Sequence, residues 1–371
     1  MQYQENKSHL KFKSVNGNKF YTTLRKRVDE YFTQHNIHRY ANRQMIIKSV
    51  VLISFYVLPF FALPFITFPW SLILWFVMGL AMAGVGMSVM HDANHGSYSQ
   101  SQKVNALMSF TLNMCGGSIL NWRLQHNVLH HTFTNVTHAD DDIGDRGILK
   151  FSPHYKVSFI HRFQWIYAFF FYGLITLNWV FVKDFAQFFQ FIREGVNNRS
   201  RKENVIVFWK IVAVKVGYLG IVWGLPVLVW DMPFLQVLSG FLLMHFVAGN
   251  ILTTVFQLAH TVEGTEFPLP NEEGVIENEW AIHQLQTTVN FSKKNKWLSW
   301  YVGGLNFQIE HHLFPKISHI HYPAISTIVQ QTAKEFNLPY HENESFFSAL
   351  RSHIRILKRI GKIVPDFNDA I

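Results

Sequence analysis

Three short runs of the chain concentrate side chains that bind transition metals: His91-Asp-Ala-Asn-His95, His126-Asn-Val-Leu-His130-His131 and Gln308-Ile-Glu-His311-His312. On a helix, residues three or four apart project from one face, so each run offers a metal ion several ligands together. One HxxxH pair alone has little weight, because paired histidines also occur on solvated helices. Three runs holding seven of the chain's 20 histidines are not explained that way. His260, at the end of a later apolar stretch, is an eighth candidate ligand. Cys115 is the only cysteine, which excludes intrachain disulfides, cysteine-rich zinc sites and protein-bound iron–sulfur clusters. Any metal is therefore held by nitrogen and oxygen. Eight imidazoles and the Gln308 amide exceed the needs of one tetrahedral zinc and suit two ions of higher coordination. Ligand type leaves zinc, copper, iron and nickel open. The number of ligands and their place at the ends of apolar segments favour a redox dinuclear centre.

The elements that carry these runs are apolar. Hydrophobic residues make up 49% of the 371, aromatics 16% and charged residues only 15%, against about 25% charged in soluble domains. Four stretches, about 46–68, 71–90, 211–230 and 233–256, approach the ~20 residues that cross a bilayer. Each pair is joined by a very short link, which predicts two hairpins. Lys and Arg flank their outer ends (Arg199, Arg201, Lys202 and Lys210; Lys293, Lys294 and Lys296), so both termini and the histidine runs are expected on the cytoplasmic side. The basic segment 1–45, with Lys7, Lys11, Lys13, Lys19 and Arg25 to Arg27, has no apolar core and does not read as a signal peptide. A further stretch, about 163–182, carries Gln164, Trp165 and Asn178 and reads as a helix lying at the interface. The expected organisation is an all-α membrane protein: a cytoplasmic N-terminal segment 1–45, a main domain 46–335 whose cytoplasmic helical cap holds the histidines, and a cytoplasmic C-terminal segment 336–371. The net charge of +9 sits beside membrane segments, with no basic aromatic module, so nucleic acid is not an expected partner.

The wording HDANHGSYS, HNVLHHTFTN and FQIEHHLFP, with two apolar pairs in matching order over roughly residues 50 to 330, resembles the membrane fatty acid desaturase superfamily. Gln308 at the head of the third box resembles the front-end branch, which desaturates between an existing double bond and the carboxyl end. The resemblance implies a di-iron centre with His91, His95, His126, His130, His131, Gln308, His311 and His312 as ligands. It implies His260 as the isolated histidine after the fourth span, although Phe256 stands where some relatives have asparagine. It also implies dioxygen as co-substrate and a long-chain fatty acyl substrate, carried as acyl-CoA or acyl-lipid, with a delta-6 or delta-5 cis double bond as product. The chain has no HPGG heme motif, so no heme or flavin is expected in it, and electrons are expected from a separate ferredoxin or cytochrome b5 with its reductase.

Unactivated C–H oxidation requires such a cofactor, since no side chain supplies the oxidant. Asp92, Asp140, Asp142 and Glu310 are candidates to hold the imidazoles from behind, and Trp122, Gln286, Thr287 and Thr288 to shape the acyl path. A hydroxylase on the same scaffold and a membrane metal transporter are the alternatives; a transporter would place its ligands near the bilayer midplane on broken helices. His245, inside the fourth apolar stretch, reads as a helix–helix hydrogen bond, His319 and His321 as loop anchors, and Lys215 as snorkelling or facing the bundle. Arg351, Arg355, Lys358, Arg359 and Lys362 recur at helical spacing, as a face for anionic lipid headgroups or for the electron donor.

Overall fold

Long apolar runs, each with at most one internal charge, fold as helices here because only a helix satisfies every backbone polar group within itself. The computed structural model describes residues 10–13, 19–144 and 147–364; Lys7 and parts of both expected terminal segments lie outside the described residues. In chain order the helices are α1 (Lys19–Gln34), α2 (Arg43–Phe65), α3 (Ser71–His95), α4 (Gln102–Met114), α5 (119–133), α6 (Phe159–Gly173), α7 (Ile175–Arg193), α8 (Arg201–Leu228) and α9 (Phe234–His260). They continue with α10 (Trp280–Thr287), α11 (Lys296–Tyr301), α12 (Gln308–Leu313), α13 (Tyr322–Glu335) and α14 (Phe346–Ile360). Two pairs of two-residue parallel strands, β1 (Lys11–Phe12) with β2 (Val275–Ile276) and β3 (Asn290–Phe291) with β4 (Glu342–Asn343), tie distant loops together.

Helices α2, α3, α8 and α9 are long and apolar enough to cross a membrane. Helix α3 is the central one, packed against both α2 and α9, with 67% of its apolar window buried against 22% for α8. Helix α3 continues beyond its apolar span through the first box to His95, as the spacing of His91 and His95 implies, and α9 runs past its expected end at 256 to His260. They continue because the polar residues there face inward: His91, Asp92, Asn94, Gln257 and His260 are all buried. The chain therefore carries its first box and His260 on the ends of apolar helices. Around them α1, α10, α12 and α13 pack a second core from Phe20, Leu24, Val28, Leu285, Ile309 and Ile325.

The helix expected over 163–182 is instead two, α6 and α7, meeting at a 54° bend. Gly173 lies at the break. A Cβ there would come within 2.3–2.5 Å of the Phe246 ring and Asn250, so this close approach to α9 requires glycine. Lys215 faces the bundle: its ammonium pairs with Asp184 of α7 and donates to the Trp179 carbonyl at 2.8 Å. His245 links three helices, with Nε2 2.7 Å from Tyr218 OH and Nδ1 3.0 Å from Thr176 Oγ1.

Candidate metal centre

Two departures from α-helical geometry aim the boxes. A π turn over Gly86–Met90 immediately precedes His91, and another, Arg123–His130, carries the second box as far as His130, with His131 directly after it. π turns widen the helix and recur at functional sites. In the second, residues five apart meet: the Nε2 atoms of His126 and His131 stand 3.3 Å apart. The α-helical reading, with His126 and His130 as the pair on one face, is thus only part of the arrangement. Gly303, at φ +64°, lets the loop before α12 close on the first π turn, because a Cβ there would fall 2.1 Å from the Met87 carbonyl oxygen.

The three boxes and His260 converge although they come from α3, α5, α9 and α12. His91, His95, His126 and His311 bring ligand atoms within 4.8 Å of one another; so do His130, His260 and His312, and His131 with His311 and His312. Gln308 joins the second group, its amide 2.8 Å from His260 Nε2 and 3.2 Å from His312 Nε2. His91 and His126 present Nε2 atoms 3.2 Å apart. Two ligands each ~2.1 Å from one ion and at right angles would stand ~3 Å apart, so these spacings suit a shared metal.

The chemistry of the cluster fits a bound transition metal and is compatible with iron. The Nε2 atoms of His95, His130 and His311 and the Oε1 of Gln308 are buried without a hydrogen-bond partner among the described residues. Buried polar atoms are rarely left so unless an unseen partner satisfies them. Burial, followed by the neighbouring imidazoles, holds His126, His131, His311 and His312 well below the usual histidine range, so they are neutral and able to bind a metal. Burial works in the same direction on His130, but Asp140 outweighs it and leaves that histidine raised.

The outer nitrogens are held from behind. His130 Nδ1 donates to Asp140 Oδ2 at 2.9 Å, and Asp140 also accepts from the Asn135 and Asp142 amides. His312 Nδ1 donates to Gln284 Oε1 at 2.8 Å, and His311 Nδ1 lies 3.1 Å from Tyr322 OH. Each such bond fixes the tautomer and turns Nε2 inward. Asp142 takes a bond from Gln125 and lies 3.7 Å from His130 Nδ1. The other two carboxylates considered from sequence hold loops rather than box imidazoles. Asp92 accepts from Ser318 Oγ at 2.7 Å and stands 3.0 Å from His319 Nδ1, whose Nε2 meets Lys48 Nζ at 3.0 Å. Glu310 accepts from Asn290 at 2.8 Å and Tyr340 at 2.9 Å. His321 Nε2 meets the Tyr40 carbonyl at 3.2 Å.

A largely apolar cavity of about 470 Å³ opens beside the cluster, and His91, His126 and Gln308 form part of its wall. Trp122 lines it, with its ring 4.4 Å from that of His126, and Phe256 lines it 5.0 Å from His130. Leu149, Phe171, Ile175 and Leu252 extend the apolar wall. Gln286, Thr287 and Thr288 are not among its lining residues. Gln286 accepts from Asn278, and the two threonines bond back to the His283 and Gln284 carbonyls, closing the end of α10. The residue of that segment at the centre is Gln284, fully buried, which joins His312 to the His131 carbonyl. Sequence reasoning passed over it because its partners lie 28 and 153 positions away, beyond any spacing rule.

Four helices long and apolar enough to span a membrane, with a buried chamber of imidazoles able to hold metal beside an apolar cavity, mark the class of protein. Residues 67–344 match the family model described as fatty acid desaturase. Over 359 aligned residues, 95% of this chain and 98% of the relative, it is 34% identical to an sn-1 linoleoyl-lipid 6-desaturase of Synechocystis sp.. It is also 34% identical to an acyl-lipid (8-3)-desaturase of Physcomitrium patens, over 96% of this chain and 74% of that one. A Delta(5) fatty acid desaturase A of Dictyostelium discoideum is 31% identical, over 98% of this chain and 79% of that one. The chain belongs to the fatty acid desaturase family, and it is an enzyme of that class.

Proposed function

We propose that the chamber holds two iron ions and that the enzyme, with dioxygen, introduces a cis double bond at a front-end position of a long-chain acyl group lying in the cavity. The observation that carries this reading is the meeting of nine ligand residues from four helices at the wall of an apolar cavity. His91, His95, His126 and His311 would hold one ion; His130, His260, His312 and Gln308 the other; His131 stands between them. A half-turn of the Gln308 amide brings its oxygen to the metal side. When bound, the metal pair supplies the redox chemistry with dioxygen that side chains lack.

The protein's own contribution is position and dryness. Asp140, Gln284 and Tyr322 hold the rings at their outer nitrogens, while Trp122 and Phe256 pack beside the imidazoles in the cavity wall and keep water from them. The acyl chain, confined along Leu149, Phe171 and Leu252, is presented with one methylene pair beside His91 and His126, so reach from the head group sets the carbon attacked. The 6-desaturase and Delta(5) names of the relatives support a carboxyl-proximal position. The two helix pairs are read as hairpins, α6 and α7 as an interfacial pair, and the cluster and termini as cytoplasmic from the flanking Lys and Arg. Two of the electrons that reduce dioxygen come from a separate carrier.

Expression in a host supplied with linoleate, followed by gas chromatography and mass spectrometry of methyl esters, tests this. A new carboxyl-proximal double bond, absent with His311→Ala, is expected. A hydroxylated product, or an unchanged profile with verified expression and a competent electron carrier, would overturn it.

A further inference from the structure

The amphipathic helix α14 has two faces with different roles. Its inner face buries Ala349, Ser352, His353, Ile356, Leu357 and Ile360. On its outer face Arg351, Arg355, Lys358 and Arg359 are exposed, with Lys362 a turn further on. These cations fall at i, i+4, i+7, i+8 and i+11, one continuous stripe. Arg355 stands 3.4 Å from Glu263, and the Lys358 ammonium lies 5.0 Å from the Trp165 ring centroid.

The inner face leads to the metal centre. His353 Nδ1 donates to the Thr261 carbonyl at 2.6 Å, and Ser352 Oγ accepts from the Glu263 amide at 2.8 Å. Thr261 follows the ligand candidate His260 directly in the chain. The cationic stripe and the end of α9 are thus separated by one helix thickness, ~10 Å.

Resting on the desaturase reading above, we infer that the outer face of α14 is the docking site of the electron carrier, a small protein with an acidic face around a one-electron centre. The reaction requires one. Turning a –CH2–CH2– pair into –CH=CH– while dioxygen becomes two waters takes four electrons and four protons. The substrate gives two of each; the other two electrons come from two successive oxidations of the reduced carrier, and two protons from solvent. A stripe of five cations steers and orients an acidic partner, and the His353–Thr261 bond joins that stripe to the metal centre. A lipid headgroup has no need of that connection.

Binding of a plant-type [2Fe–2S] ferredoxin to the metal-free full chain in phosphatidylcholine nanodiscs tests this without reference to turnover. The triple variant Arg351→Glu/Arg355→Glu/Lys358→Glu should raise Kd at least tenfold, with the salt dependence of wild-type binding largely lost. Arg25→Glu/Lys26→Glu on α1, a similar charge reversal on another exposed surface, should leave Kd within about twofold. Equal binding by the triple variant, or equal loss from the α1 variant, overturns the inference. So does a result in which the triple substitution alters only the response to phosphatidylserine in the discs, which would make the stripe a lipid contact. Turnover driven by dithionite and a small mediator reads the chemistry separately: its absence in iron-loaded wild type, with ferredoxin binding intact, counts against the desaturase reading and supports the docking face as a binding surface.

Discussion

Gln284 binds two boxes at once, and the balance of its bonds shows what a single residue contributes to the centre. Its carbonyl accepts from His312 Nδ1 while its amide donates to the His131 carbonyl at 3.3 Å. Gln284→Leu removes the closer acceptor and leaves His312 Nδ1 only the Thr134 hydroxyl, 3.2 Å away, so the tautomer is held less firmly. Loss on the order of 10–100-fold in iron affinity is expected, as for other outer-shell partners of metal-binding histidines. Gln284→Glu, which keeps an acceptor, should restore most of it. Iron bound per chain across a chelator series measures this; equal retention by Gln284→Leu would remove Gln284 from the site. The boxes themselves were legible because their spacing lies within one or two helical turns. Gln284 and Tyr322 were not, because each meets its imidazole through tertiary packing that no local pattern encodes.

Helices α7 and α8 are held together by charge inside an apolar bundle. Lys215 and Asp184 are buried, and the Ser118 amide also donates to Asp184 at 2.9 Å. Lys215→Met leaves a buried carboxylate without its cation, and removing one partner of such a pair costs roughly 3–5 kcal/mol. A drop of several degrees in the melting temperature in detergent is expected, with partial recovery on adding Asp184→Leu. A melting curve superimposable on wild type would contradict the pairing. The four long helices were readable from their apolar runs, although α8 begins at Arg201, ahead of its expected start at 211. The continuation of α3 through His91 and His95 was readable from their spacing; the run of α9 past 256 to His260 was not, since polar residues normally signal a helix leaving the membrane, whereas here Gln257 and His260 turn inward. The bend at Gly173 escaped for a similar reason: one glycine in an apolar run does not announce that another helix presses against it.

Across the whole molecule, with His130 beside Asp140 the exception, burial holds most of the buried histidines below their ordinary range. Besides those at the centre, burial pushes His283 and His353 down to about 4. In the unfolded chain these groups take up protons near pH 6.5. Below that pH the unfolded state binds more protons than the folded one, so stability is full above ~6.5 and falls as pH drops toward 4. The metal-free protein should therefore melt at a lower temperature at pH 5.5 than at pH 7.5, and a flat profile would contradict the neutral assignment.

Everything in the proposed chemistry depends on side chains from α3, α5, α9 and α12 gripping a pair of iron ions. Elemental analysis of gently purified, active protein tests that most directly. About two irons per chain are expected, falling to about one in His130→Ala/His260→Ala, which removes two members of the second ligand group and none of the first. Active protein that carries zinc, or no stoichiometric iron, would contradict it.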